Sequence, residues 1–156
     1  MDYNKAIIEK FYTAFANGDA DAMTSCYHDK IAFEDPAFRK LYGNDAKLLW
    51  QLLLSRNKNM KITFSNVAVS GNKGTASWIA EYIFAQTGRA VINKIEANFE
   101  FANGQIIKHT DYFDLYKWSQ QALGLKGYLL GWSPFMKNKI CKMTVGLLEN
   151  YKKKLQ

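Results

Sequence analysis

The sequence predicts an α+β fold: a cone-shaped, curved antiparallel β-sheet packed on three N-terminal helices, with an additional C-terminal helix. Three observations predict it. Apolar residues recur at helical spacing up to Arg56. After Asn59 the rhythm changes to strict alternation. From there on the connections are short turn sequences, which force antiparallel neighbours.

The elements follow in order. Residues 3–17 read as a helix, with Ile7, Ile8, Phe11 and Phe15 on one face and Gly18 as its stop. Asp19 caps a second, short helix through Met23 and Tyr27. Ile31 to Asp35 reads as a short strand ended by Pro36. Asn44 caps a third helix through Arg56, striped by Leu49, Trp50, Leu52 and Leu53. Four strands follow at about 60–70, 75–86, 90–102 and 105–116. Gly71-Asn72-Lys73-Gly74, Gln86-Thr87-Gly88-Arg89 and Asn103-Gly104 are their hairpin turns, the last suited to type I′. After Trp118 the pattern turns helical again. Pro134 opens a final helix with Ile140, Met143, Leu147 and Tyr151 on one face. The division is therefore 1–118 for the α+β domain and 119–156 for a basic helical extension packed on it.

A chain of 156 residues, 48% hydrophobic and 22% charged with two prolines, is one globular domain and not a disordered or fibrous one. Two cysteines, Cys26 and Cys141, make no disulfide framework and no metal-ligand spacing. No apolar run approaches the roughly 20 residues of a membrane span. Residues 1–5 lack a signal peptide's pattern, so the expected location is cytoplasmic. The net charge of +7 is uneven: residues 1–114 carry 13 basic and 13 acidic side chains, whereas residues 115–156 carry eight lysines and one acid, Glu149. A neutral body offers no electrostatic track for nucleic acid. The tail helix is expected to pack on its own domain or a dimer partner, burying Ile140, Met143 and Leu147, with Trp132 and Phe135 anchoring the turn before it.

Chemistry concentrates in the last strand. Ile107, His109, Asp111 and Phe113 share one face by alternation, and the apolar pair marks it as the inner one. That places an imidazole and a carboxylate inside, roughly 6.6 Å apart along the strand. Buried ionisable groups are costly unless paired or used. The alternatives are a solvated outward pair or a structural hydrogen bond. Asp35 shares a face with Phe33 and points inward with it, although Asp before Pro is also ordinary turn chemistry. Trp50, Trp78 and Tyr82 carry polar tips and are placed at a cavity wall. There is no phosphate-binding loop, nucleophile elbow or histidine cluster, so no metal and no cofactor is expected.

Several segments resemble a known family. They are Ile8-Glu9-Lys10-Phe11-Tyr12, Asn17-Gly18-Asp19, Phe33-Glu34-Asp35-Pro36, Leu41-Tyr42-Gly43, Phe99-Glu100-Phe101, Asn103 to Ile107 and His109 to Asp114. With order and spacing kept over residues 3–116, the chain resembles the SnoaL-like branch of the nuclear-transport-factor-two-like superfamily. That superfamily includes ketosteroid isomerase, limonene epoxide hydrolase and polyketide cyclases. The tail, Trp118 to Gly124 and Gly131 to Phe135, resembles a bacterial subgroup. The resemblance implies a small-molecule pocket and a homodimer formed through the outer sheet face, with Lys94, Glu96, Asn98, Glu100 and Tyr112 on that face. Residue by residue, the isomerase's base matches Asp35, its oxyanion tyrosine falls on Phe11, and its protonated aspartate falls on Ala97. The oxyanion hole is missing, so a ketosteroid isomerase is not expected. The polyketide cyclases are similar in placing an acid/base aspartate near Asp111.

The expected site is therefore Asp111 as base, His109 orienting it or donating to an enolate, and Asp35 as second carboxylate. Trp50, Trp78, Tyr82, Phe113, Phe11 and Phe99 are the expected ligand contacts. The expected ligand is an apolar or carbonyl-bearing small molecule. The chemistry would be isomerase-, cyclase- or lyase-like without a metal, and the alternative is a non-catalytic ligand-binding or dimerisation module.

Overall fold

A computed structural model describes residues 2–156. Helix α1 (Tyr3–Ala16) starts where the Asp2 carboxylate accepts the Asn4 and Lys5 amides. Its buried face is Ile7, Ile8, Phe11, Tyr12, Ala14 and Phe15, and each large side chain there contributes about 1.5–3 kcal/mol by leaving water. Helix α2 (Ala20–Ser25) is capped by Asp19, as its sequence suggests, through the Ala22 amide at 2.9 Å. Strand β1 (Tyr27–Asp35) begins four residues before the predicted Ile31. A short strand not predicted, β2 (Arg39–Tyr42), pairs with its end. Helix α3 (Asn44–Arg56) has Gly43, not Asn44, at its N-cap. The chain there has φ +55°, and a Cβ would crowd the Asp29 carbonyl at 3.2 Å, so glycine takes the cap.

Strands β3 (Lys61–Ser70), β4 (Lys73–Phe84), β5 (Arg89–Ala102) and β6 (Gln105–Tyr112) form the expected antiparallel meander. Asn103 and Gly104 both have positive φ, as a type I′ turn requires. The curved, open sheet runs β2-β1-β6-β5-β4-β3. One pairing departs from the antiparallel expectation: β1 lies parallel to β6, with Phe33 opposite His109. The intervening helix and meander supply the long crossover that a parallel pair needs.

β6 ends at Tyr112, short of the predicted residue 116, because Asp114 caps helix α4 (Leu115–Leu123) through the Lys117 amide. The tail then folds as α5 (Leu125–Leu130) and α6 (Pro134–Lys154). α6 lies against the domain. Met136, Ile140, Cys141 and Leu148 are buried, Met143 and Leu147 are half-buried, and the Thr144 hydroxyl donates to the Ala37 carbonyl at 2.7 Å. Trp132 and Phe135 do not anchor the preceding turn by burying their rings, which stand 64% and 69% exposed. The turn is held by polar contacts instead, with the Ser133 hydroxyl accepting the Met136 amide and the Trp132 indole donating to the Leu129 carbonyl. Among the described residues no helix is long and apolar enough to cross a membrane.

Candidate functional site

The pairing of β6 with β5 slips by one residue after Glu100–Lys108, so that Phe101 faces Ile106. The extra residue is Ile107. Ile106 is therefore the buried isoleucine, not Ile107 as strict alternation predicts. Beyond the bulge the parity holds, and His109, Asp111 and Phe113 all point inward.

His109 has no exposed surface and uses both ring nitrogens internally. Nδ1 lies 2.7 Å from the Tyr27 hydroxyl and Nε2 lies 2.8 Å from Asp111 Oδ1. The Trp50 indole donates to the Tyr27 oxygen at 2.9 Å, and the Trp78 indole donates to Asp111 Oδ1 at 3.4 Å. The ends of this chain fix its direction. An indole N–H only donates and a carboxylate only accepts. Trp50 thus donates to Tyr27, Tyr27 donates to Nδ1, and Nε2–H donates to Asp111. A neutral imidazole satisfies every member; an imidazolium would leave the Tyr27 proton without an acceptor. Burial, and after it the Asp111 charge, push the Tyr27 phenol well above its ordinary pKa, which keeps it a donor.

The imidazole sits in an aromatic cage, with Phe99 at 4.5 Å, Phe33 at 5.1 Å and Phe11 at 5.5 Å between ring centroids, and Trp50 stacked at 6.0 Å. Phe11 and Phe99, expected as ligand contacts, pack on His109 and do not border the cavity. His109 stands behind Asp111, where it can orient the carboxylate, the first of its two expected roles, and not where it could donate to a ligand. The neighbouring Tyr12 hydroxyl is buried with no hydrogen-bond partner among the described residues.

The cavity measures about 180 Å³ and is predominantly apolar. Asp35, Asp111, Trp50, Trp78, Tyr82 and Phe113 all border it. So do Phe15 from α1 and residues the sequence reading missed: Trp118 from α4, and Met143, Thr144 and Leu147 from α6. Their helical periodicity was visible, but which cavity their face would meet was not.

Asp35 spends one oxygen on its own turn: Oδ1 accepts the Ala37 and Phe38 amides at 2.8 and 2.6 Å. Its second oxygen has no protein partner among the described residues and is left to the cavity. Asp111 is built likewise, with Oδ1 taken by His109 and Trp78. Desolvation raises the Asp35 pKa from 3.8 to about 7; the Phe38 amide opposes this and the Asp111 charge adds to it. The Tyr82 oxygen accepts the Trp118 indole at 2.8 Å, which leaves its own proton for a guest.

An open cone whose apolar cavity holds two inward carboxylates defines a small-molecule pocket protein. The chain belongs to the SnoaL-like domain family, which matches residues 8–109. No curated protein matches it. Among solved structures it is similar to an LEH-like epoxide hydrolase of Mycobacterium tuberculosis, with 20% identity over 78% of this chain and 90% of that one and a TM-score of 0.62. It is also similar to a Xanthomonas campestris pv. campestris protein provisionally described as a polyketide cyclase, with 21% identity over 76% and 96% and a TM-score of 0.61. An NTF2-like protein of Burkholderia pseudomallei gives 17% identity over 73% and 92% and a TM-score of 0.64. These likenesses show the fold.

Proposed function

We propose that the protein transfers a proton next to a carbonyl on a small molecule, as an isomerase- or cyclase-like enzyme. The observation that carries this is a pair of carboxylates on one apolar cavity, each with one oxygen unclaimed, and Asp35 raised to about 7. A group titrating there is suited to take and return protons at neutral pH. The sequence suggested Asp111 as the base; the geometry favours Asp35. In the forward step the Asp35 carboxylate takes a proton from the carbon beside the carbonyl, and the electron pair moves to the carbonyl oxygen as an enolate. The Tyr82 hydroxyl is the donor placed to meet that charge. Asp35 then returns the proton to another carbon. Burial is the main cause of the raised Asp35 pKa, and the charge of Asp111, held by His109 and Trp78, adds to it. A 150 Å³ cavity accepts benzene, so about 180 Å³ fits one ring or a short chain.

The test is solvent-deuterium incorporation into small cyclic enones, followed by NMR, with binding followed through fluorescence of the cavity tryptophans. The expected result is accelerated exchange that rises as pH passes about 7, where Asp35 becomes ionised. Asp35→Asn is expected to slow it roughly 10²–10⁴-fold while leaving binding intact. Binding with no exchange makes the protein a non-catalytic ligand-binding module. Neither binding nor exchange refutes both readings.

We also propose a cytoplasmic homodimer joined through the outer sheet face, and no role in nucleic-acid binding. On that face Ile83, Ile92 and Tyr112 stand exposed among the charged Lys94, Glu96 and Glu100, a mixture that suits a polar interface with apolar spots.

A further inference from the structure

The amphipathicity of α5 is inverted. A helix on a globular domain normally turns its large apolar residues inward. Here the inward positions are glycines: a Cβ at Gly127 would fall inside the Ser119 carbonyl group, and one at Gly131 would lie 2.8 Å from the Ser119 Cβ. α5 is thereby pressed onto α4 by its small residues, and its bulk faces outward. Leu125, Tyr128, Leu129 and Leu130, with Trp132 and Phe135 just after, stand 43–73% exposed. Six large apolar side chains within eleven consecutive residues, Leu125 to Phe135, make a patch and not scattered exceptions.

The charge around the patch is predominantly positive. Residues 115–148 contain five lysines, Lys117, Lys126, Lys137, Lys139 and Lys142, and no acid. All five are exposed. Tyr128 shares a surface cleft with Arg89 and Lys117. Trp132 shares another with Arg39 and Lys137, where Asp114 is the single acid. A second copy of the same patch would bring like charges together. An anionic bilayer would not: its headgroups complement the lysines, its acyl boundary takes leucine and phenylalanine, and indole and phenol rings sit at headgroup depth.

We propose that the α5 to α6 corner is a docking surface for anionic membrane, holding the protein peripherally without a membrane-spanning segment. It is distinct from the cavity and independent of the proposed catalysis.

The experiment is flotation of the full chain with phosphatidylcholine vesicles and with phosphatidylcholine–phosphatidylglycerol vesicles. Trp132 is the exposed tryptophan, whereas Trp50, Trp78 and Trp118 are buried, so its emission reports insertion. The expected result is partitioning to the anionic vesicles only, weakened by salt, with a blue shift. A Leu129→Ser/Trp132→Ser/Phe135→Ser variant and a Lys126→Glu/Lys137→Glu variant are each expected to lose at least about tenfold in partitioning. Both change exposed residues, and unchanged far-ultraviolet circular dichroism with an unchanged melting temperature shows that they fold. No partitioning of the wild type, or equal partitioning to both vesicles, overturns the proposal. So does light scattering in which the triple substitution turns an oligomer into a monomer, which assigns the patch to a second copy. Binding to a nucleic-acid duplex but not to vesicles overturns it as well.

Discussion

Asp35 links the site to stability. Its folded-state pKa of about 7 lies above its ordinary 3.8. Between those values the folded protein holds a proton that the unfolded chain has released, so stability falls as pH rises from about 4 to about 7 and levels off above. An asparagine there keeps an oxygen for the Ala37 and Phe38 amides and carries no charge to desolvate. Asp35→Asn is therefore expected to raise stability at pH 8, on the order of 2 kcal/mol once screening through the open mouth is allowed for. The gain should shrink toward zero near pH 4; thermal melts at both pH values check it. The inward direction of Asp35 was legible from its parity with Phe33, and that of Asp111 from its parity with Phe113. The use of both His109 nitrogens was not legible, because Tyr27 comes from a segment whose sequence, Tyr-His-Asp-Lys, reads as polar surface.

Local rules of turn and cap located most elements. Asp19, Pro134 and Asn103-Gly104 mark their boundaries by chemistry that acts within a few residues. What local rules cannot see is which distant element a face meets. The parallel β1–β6 pair, the β2 strand and the position of α6 are tertiary facts. α6 closes one side of the cavity and also ties to the Asp35 turn, where Thr144 binds the Ala37 carbonyl and the Cys141 thiol lies 3.6 Å from the Pro36 carbonyl. Deleting residues 134–156 removes buried Met136, Ile140 and Leu148, each contributing about 1.5–3 kcal/mol. That is a large share of a typical domain's total stability. The truncated chain is expected to aggregate or to melt far lower in a denaturant titration. A soluble, equally stable truncation would show α6 to be an appendage.

For the whole molecule, the alternation of Trp78, Ala80 and Tyr82 against Ile95, Ala97 and Phe99 was enough to assign the sheet's two faces. The outer face then carries the proposed dimer, and light scattering at micromolar concentration is expected to give twice the 17.9 kDa chain mass. The uneven charge was legible too, as eight tail lysines. Its meaning was not, because composition does not say that Gly127 and Gly131 turn inward and push Leu129 and Tyr128 out.

The Tyr27–His109 bond joins residues 82 apart, and Thr144 reaches Ala37 across 107. During synthesis β1 therefore emerges with one edge unclaimed and waits for the entire meander before β6 arrives to cover it. Contacts this distant in sequence slow folding, and an open strand edge is a template for misassembly in the meantime. The two acids of the cavity meet late, and its wall arrives later still, so the pocket is complete only after α6 has docked.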